Sequence, residues 1–282
     1  MSKIAVIGIA GNSVFLPVEK FHEGGETVEA SSAHMEPGGK GFNQAVAASR
    51  AGAEVSFLAA IGHDGRESIA QFLKNEGISA SLIQKDSDSA FAAIVTDRNG
   101  SNHVTVYQGA QLSAEDVLSF AKEIAEADLL LLNNEVDEAV NVKAIEIAKE
   151  QGVRVVLNPA PARVGCEYVL KHVDLFTPNE HETLGIENAS NVIVTLGKRG
   201  CLIKEEDRII PAVDAGKVID TTGAGDTFNG VLAAMLAEGH SLSFAATVAN
   251  GVSSVGVTRK YAVSSIPSKE EIQKIIENTE AR

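Results

Sequence analysis

Short apolar runs rich in β-branched residues alternate with segments of helical period along most of this chain. That alternation constrains the fold more than any other feature. Residues 4–9, 55–61, 129–132, 153–157, 173–176 and 192–196 read as strands. Residues 42–51, 67–75 and 137–151 read as helices, and Gly77 and Gly152 stop the last two. Ser113 heads an N-cap signal with Glu115 and Asp116 behind it, opening a helix that ends before residue 129. Ala-rich helices are expected at 224–238 and 242–254, and an amphipathic one from near Ser268. Strands that are apolar on both faces and separated by helices predict an α/β fold, a largely parallel sheet covered on both sides.

Two stretches break the alternation. Residues 14–35 and 91–107 are strand-like, with turn signals at Glu23-Gly24-Gly25 and Asp97-Arg98-Asn99-Gly100 and no helix between their strands. They predict a small β-sheet attached to the core. No repeat, low-complexity segment or interdomain linker is visible, so 1–282 reads as one domain. That length suits one large domain with a full core.

Twenty-four Lys and Arg face 38 Asp and Glu, a formal charge of −14. A balance that acidic argues against a nucleic-acid binder or an anionic-membrane binder. Cys166 and Cys201 cannot form a disulfide framework, which fits a reduced, cytoplasmic setting. The apolar run at 3–10 is too short for a signal peptide, and no run approaches the roughly 18 residues of a membrane span. The seven His form no HxxxH or HExxH pair and there is no CxxC, so zinc is not expected.

The strongest local signal is VIDTTGAGDTFNG at 218–230, where a strand ends, a turn of small residues follows and a helix begins. Gly223, Ala224 and Gly225 leave backbone N–H groups bare at a helix N-terminus, an arrangement that binds an anion. Asp226 inside such a site is out of place in a passive phosphate cradle. It makes sense as the acceptor of a proton from a hydroxyl attacking beside the phosphate. Taken alone, Asp226 could equally cap the helix. The second signal is PGGKGFNQA at 37–45, which brings bare amides, Lys40 and Asn43 into one helical turn. It is not a P-loop, since GxxxxGK[ST] occurs nowhere. No GxGxxG follows the first strand, which removes the main support for a nicotinamide dehydrogenase.

The two motifs, in this order and so far apart, resemble the PfkB, or ribokinase-like, family of carbohydrate kinases. NPAPA at 158–162, TPNEHE at 177–182, TLGKRG at 195–200 and VTRK at 257–260 extend the resemblance over nearly the whole chain. The resemblance implies a ribokinase-like three-layer αβα core with a small β-sheet lid, formed by about 12–37 and 90–109. It implies an ATP-dependent kinase that phosphorylates a hydroxymethyl group of a small sugar. Asp226 would be the base, and Gly223, Ala224, Gly225 and the Asp226 amide the anion hole. Gly11, Ser13, Gly39, Lys40, Asn43 and Glu135 fall at sugar-contacting positions. Asn179, Thr195, Gly197, Gly200 and Asn250 fall at nucleotide positions. Glu182 would organise Mg²⁺ through water. Asp220, Thr222, Gly256, Arg259 and Ser265 align with a monovalent-cation (K⁺) site. The lid implies a homodimer. Two alternatives stand beside this reading. One is a nucleoside kinase of the same fold, its base pocket drawing on Phe15, Phe91 or Tyr107. The other is a sugar- or nucleotide-binding regulator without turnover.

The chain departs from the family in three places. Gly11 and Ser13 stand where the family usually carries Asn and Asp, with Asn12 between them, so two polar sugar contacts are missing and the preferred substrate should change. Residues 182–191 leave no room for the family's helix before the strand at 192, so a sheet face there is expected to be bare or covered by a partner subunit. Tyr261 replaces a small residue after VTRK.

Overall fold

The computed structural model describes residues 1–98 and 102–281. The strands are β1 (Lys3–Ile9), β2 (Gly11–Pro17), β3 (His34–Gly38), β4 (Glu54–Ile61), β5 (Ser79–Gln84), β6 (Ala90–Thr96), β7 (Asn102–Tyr107), β8 (Leu129–Asn133), β9 (Arg154–Asn158), β10 (Leu175–Phe176), β11 (Ile193–Thr195), β12 (Cys201–Ile203) and β13 (Arg208–Ile210). The helices are α1 (Lys40–Arg50), α2 (Arg66–Asn75), α3 (Ala114–Leu118), α4 (Ala121–Ala125), α5 (Glu138–Glu150), α6 (Glu167–His172), α7 (Ala224–Ala237), α8 (Leu242–Gly256) and α9 (Lys269–Glu280).

Six strands form the central sheet in the order β10-β9-β8-β1-β4-β5, every pair parallel. Alternation along β1 shows why both faces are covered. Ile4 and Val6 belong to an apolar cluster shared with α1, α7 and α8. Ala5 and Ile7 belong to a second cluster shared with α3, α4 and α5. Neither face meets water, so the strand must be apolar throughout, and its sequence is. A Cβ on Gly8 would stand 2.6 Å from the Cα of Gly41, so only glycine lets α1 lie this close to β1. That close approach sets the start of α1 over the end of β1.

The lid is a separate sheet in the order β3-β2-β6-β7. Its outer pairs are antiparallel and its central β2–β6 pair is parallel. The Glu23-Gly24-Gly25 signal is a turn in the connection between β2 and β3. The Asn99-Gly100 signal lies outside the described residues. Among the described residues no helix is long and apolar enough to cross a membrane.

Four sequence expectations change. The strand near 192–196 does not continue the central sheet. Its core, β11, pairs antiparallel with β12, and β12 with β13, through short turns. Its backbone joins the central sheet at the Phe176–Val192 bridge, a second bridge pairs Asn179 with Thr195, and Ile193 is buried in the same apolar cluster as Val156 and Leu175. β5 is a strand the pattern hides, because an edge strand with Ser at 79 and 81 lacks the apolar run. The helix opened by Ser113 is two short ones: α3 keeps its capping box with Asp116, and Phe120 starts α4. Residues 182–191 carry no helix, as expected, yet the sheet face there is not bare. Ile186 is buried against Val169, Phe176 and Val194, with Ala189 packed alongside.

Candidate active site

Two helix N-termini meet at the carboxyl ends of the central strands, where ligands of open parallel sheets bind. α1 follows Gly39, which sits at φ 116°, where a Cβ would come 2.4 Å from the carbonyl oxygen of Ile9. α7 follows Gly223, at φ 75°. The two helices pack side by side, with Gly230 of α7 against the Gln44 carbonyl of α1. Their first turns therefore open into one cleft of about 190 Å³, whose walls include Lys40, Asn179, Glu182, Thr195, Gly223, Gly225 and Asp226.

Asp226 lies in the first turn of α7 and is buried. Its Oδ2 accepts from Asn43 Nδ2 at 3.0 Å, and its Oδ1 from Gln44 Nε2 at 3.3 Å. Gln44 Nε2 also lies 3.3 Å from Asn158 Oδ1, and Asn158 Nδ2 donates to the Thr177 carbonyl at 2.8 Å. Burial pushes the Asp226 carboxyl above its ordinary range, against the pull of Lys40 and the two amide donors. Asp226, then Glu135 and Glu182, hold the Lys40 ammonium above its ordinary value against burial. Glu135 follows the end of β8, and its Oε2 accepts from the Lys40 backbone N–H at 2.7 Å. Burial raises its carboxyl to about 7, with Lys40 opposing and Asp226 reinforcing. The site thus holds one fixed ammonium beside two carboxyls that ionise reluctantly. A carboxylate so placed is poised to take a proton rather than to stay permanently charged.

On the lid, Gly11 and Ser13 lie on one face of β2 and are buried, with Gly11 pressed against Ala90. Asn12 alternates to the other face and approaches Gly65. Register also relocates two aromatic candidates. Ser13 pairs with Ala92, while Phe91 pairs with Tyr107. Phe91 and Tyr107 therefore lie on the face opposite Ser13, and both are exposed. They do not form a base pocket with it. Phe15 shares the Ser13 face, but it is packed against Ile94, Ala262 and Tyr261.

Thr195 ends β11 at the cleft, and Gly197 and Gly200 bracket the turn after it. Asn250 is buried in α8 and spends its amide on the Ile210 carbonyl at 3.0 Å. Glu182 Oε2 accepts from the Asn179 N–H at 3.0 Å. Asp220 accepts from Thr222 N–H (2.9 Å) and Oγ1 (2.7 Å), and from Tyr261 N–H (2.9 Å). The Gly256 carbonyl accepts from Arg259 N–H, the Arg259 side chain pairs with Glu271, and Ser265 Oγ donates to the Ala262 carbonyl.

The structure adds Gln44, which the sequence reading left unassigned. Its signal was its place directly after Asn43. What gives it a role is the α1–α7 contact, which joins residues 182 apart in the chain.

The chain matches the pfkB family of carbohydrate kinases over residues 1–269. It is 35% identical over 305 aligned residues to the ribokinase of Haemophilus influenzae, covering 98% of each. It is 32% identical over 302 aligned residues to the deoxyribokinase of Salmonella typhimurium, covering 97% of this chain and 98% of that one. Among solved structures, a ribokinase of Cryptococcus neoformans in complex with ADP superposes with a TM-score of 0.84 at 26% identity, covering 97% of this chain and 98% of that one.

Proposed function

This chain belongs to the pfkB family of carbohydrate kinases and is an ATP-dependent sugar kinase, a phosphotransferase with an alcohol acceptor; from that premise we propose that it phosphorylates the hydroxymethyl group of a small sugar, with Asp226 as the base. One observation carries the proposal. Asp226 is buried at the mouth of α7 and gripped on both oxygens; it shares its turn with the amides of Gly223 and Gly225 and its cleft with Lys40, while the Ala224 N–H, expected to be bare, is spent on the Thr221 carbonyl at 3.2 Å.

In this mechanism the sugar hydroxyl gives its proton to Asp226 as its oxygen attacks the γ-phosphorus of ATP, and the bond from that phosphorus to the β,γ-bridging oxygen breaks to release ADP. Asn43 and Gln44 fix which way the carboxylate faces. The amides of Gly223, Gly225 and Asp226 and the Lys40 ammonium meet the charge on the transferring group, so little covalent help is needed. Closure of the lid keeps water from competing with the sugar.

The family implies Mg²⁺, and the donor set suits it. Among the described residues no group of three His, Cys, Asp or Glu could hold a metal. A hard ion held mostly by phosphate oxygens and water needs only one or two carboxylates. Glu182, placed by Asn179, would hold it through water, and the ion would offset phosphate charge. At the cation position, Thr222 and Tyr261 supply three donors to Asp220, out of roughly four lone-pair sites on a carboxylate. What remains, with the carbonyls of Thr222, Gly256 and Arg259, suits a weakly held monovalent ion such as K⁺ better than a divalent one.

Ser13 and Gly11, buried on the lid outside the lining of the 190 Å³ cleft, stand where the family's acid and amide would select hydroxyls. We therefore assign a pentose with relaxed demands at those hydroxyls, accepting 2-deoxyribose as well as ribose. The whole chain would act as one kinase domain in the cytoplasm, which its two unpaired thiols support. Exposed Met35, Phe91 and Tyr107 share the lid face opposite Ser13 and support a homodimer through that face. The deciding experiment is a coupled ADP-release assay over pentoses, hexoses and nucleosides. Turnover with pentoses is the expected result. Turnover with nucleosides alone, or ligand-induced stabilisation without any turnover, would overturn the assignment.

A further inference from the structure

Glu36 is a buried carboxylate that the chemistry above does not use. It lies on β3, opposite Ser13, and its side chain is 5% exposed. Oε1 accepts from the N–H groups of Ala262 at 2.8 Å and Val263 at 2.9 Å. Oε2 accepts from Ser264 N–H at 3.2 Å and from the Ser264 hydroxyl. His34 Nε2 stands 3.3 Å from the same oxygen. Four donors of one short segment thus converge on one lid side chain, across 226 to 228 residues of sequence. Hydrogen bonds to an ionised acceptor are roughly twice as strong as neutral ones.

The segment it holds backs the phosphate turn. A Cβ on Gly223 would stand 3.1 Å from the Cα of Ala262, so the two backbones are in contact there. Tyr261 N–H donates to Asp220, and Asp220 in turn holds Thr222, the residue before Gly223. A continuous set of contacts therefore runs from the lid strand to the start of α7. The lid also touches this segment through apolar surface, with Phe15 against Ala262 and the His34 ring stacked on Tyr261 at 3.8 Å. Those contacts would keep the lid seated without Glu36, but they place no acceptor on the three amides.

We propose that Glu36 is a positioning residue for phosphoryl transfer: it clasps residues 262–264 and so makes the order of the 220–226 turn depend on the lid being down. The proposal rests on the kinase reading above. Charge alignment at the turn then rises with closure over the sugar, although Glu36 touches neither substrate.

The test uses Glu36→Gln and Glu36→Ala, with Glu146→Ala as a control that breaks the Lys143–Glu146 pair on α5, which packs against the other face of the central sheet. Amide hydrogen exchange on the free enzyme is read first. Exchange at 262–264 and at 220–226 should rise together by about tenfold or more in both Glu36 variants, and stay at wild-type rates in the control. Steady-state kinetics with the best pentose are read second. kcat should fall about tenfold while the sugar KM moves less than about threefold. Wild-type exchange at 220–226 in the Glu36 variants would overturn the proposal. So would a change confined to the sugar KM, which would leave Glu36 as lid glue. If wild type turns over no sugar, the kinase reading fails, and the exchange measurement still decides whether Glu36 orders the turn.

Discussion

The floor and the roof of the sugar pocket are built on opposite principles. The floor is charged, buried and interlocked: Lys40 stands among Asp226, Glu135 and Glu182, and both oxygens of Asp226 are held. The roof at β2 is small and nearly uncharged, with Gly11, Ser13 and Phe15 on its inner face, and its one buried carboxylate, Glu36, is turned to the backbone of 262–264. Under the proposed mechanism the contrast divides the tasks. Phosphoryl transfer needs fixed charge and a base, which leaves the floor little freedom. Choice of sugar needs only a few polar partners, which the roof can lose without loss of chemistry.

The largest effect that could break this division is at Asp226. Asp226→Asn keeps the shape and removes the base, so kcat should fall by about 10³-fold, within the range for general-base removal, while ADP affinity by calorimetry stays within about threefold. Near-normal turnover would remove the floor's assigned role. A smaller loss is expected for Gln44→Leu, which leaves Asp226 ionisable but frees one of its oxygens. kcat should drop by about 10- to 100-fold with little change in nucleotide KM, and an unchanged kcat would show that Asn43 alone fixes the base.

A separate effect falls on stability rather than turnover. Burial raises the Glu135 carboxyl to about 7, from an ordinary value near 4.5. Between those values the unfolded chain has already lost the proton that the native state keeps, so stability is full at low pH and falls as pH rises through about 7. The loss is about 3 kcal/mol, or about 6 °C in Tm. Glu135→Gln should flatten that slope between pH 5 and 8, as read by thermal denaturation. An equally steep slope in the variant would mean the charge strain lies elsewhere.

The same floor and roof differ in how far the sequence reveals them. The floor is announced by local spacing, because its charged and amide-bearing residues lie within one turn of two helix N-termini. That Asp226, Gly223, Lys40 and Asn43 gather in one place is therefore legible, while the assays above test their proposed roles. Gln44 and Glu36 are not, since their partners lie 182 and 226 residues away and exist only once α1 meets α7 and the lid meets the 262 segment. The αβα core is legible from apolar runs buried on both faces. β5 escapes because an edge strand need be apolar on one side only. Ile186 escapes because a single side chain filling a gap leaves no period.

The division between floor and roof is tested most directly by Ser13→Asp, assayed for ADP release with ribose and 2-deoxyribose on the same preparations. The roof should then discriminate: the ratio of kcat/KM for the two sugars should shift by about tenfold or more while kcat with the better sugar stays within about threefold. A collapse of kcat with the sugar ratio unchanged would contradict the account, because it would place the chemistry in the lid.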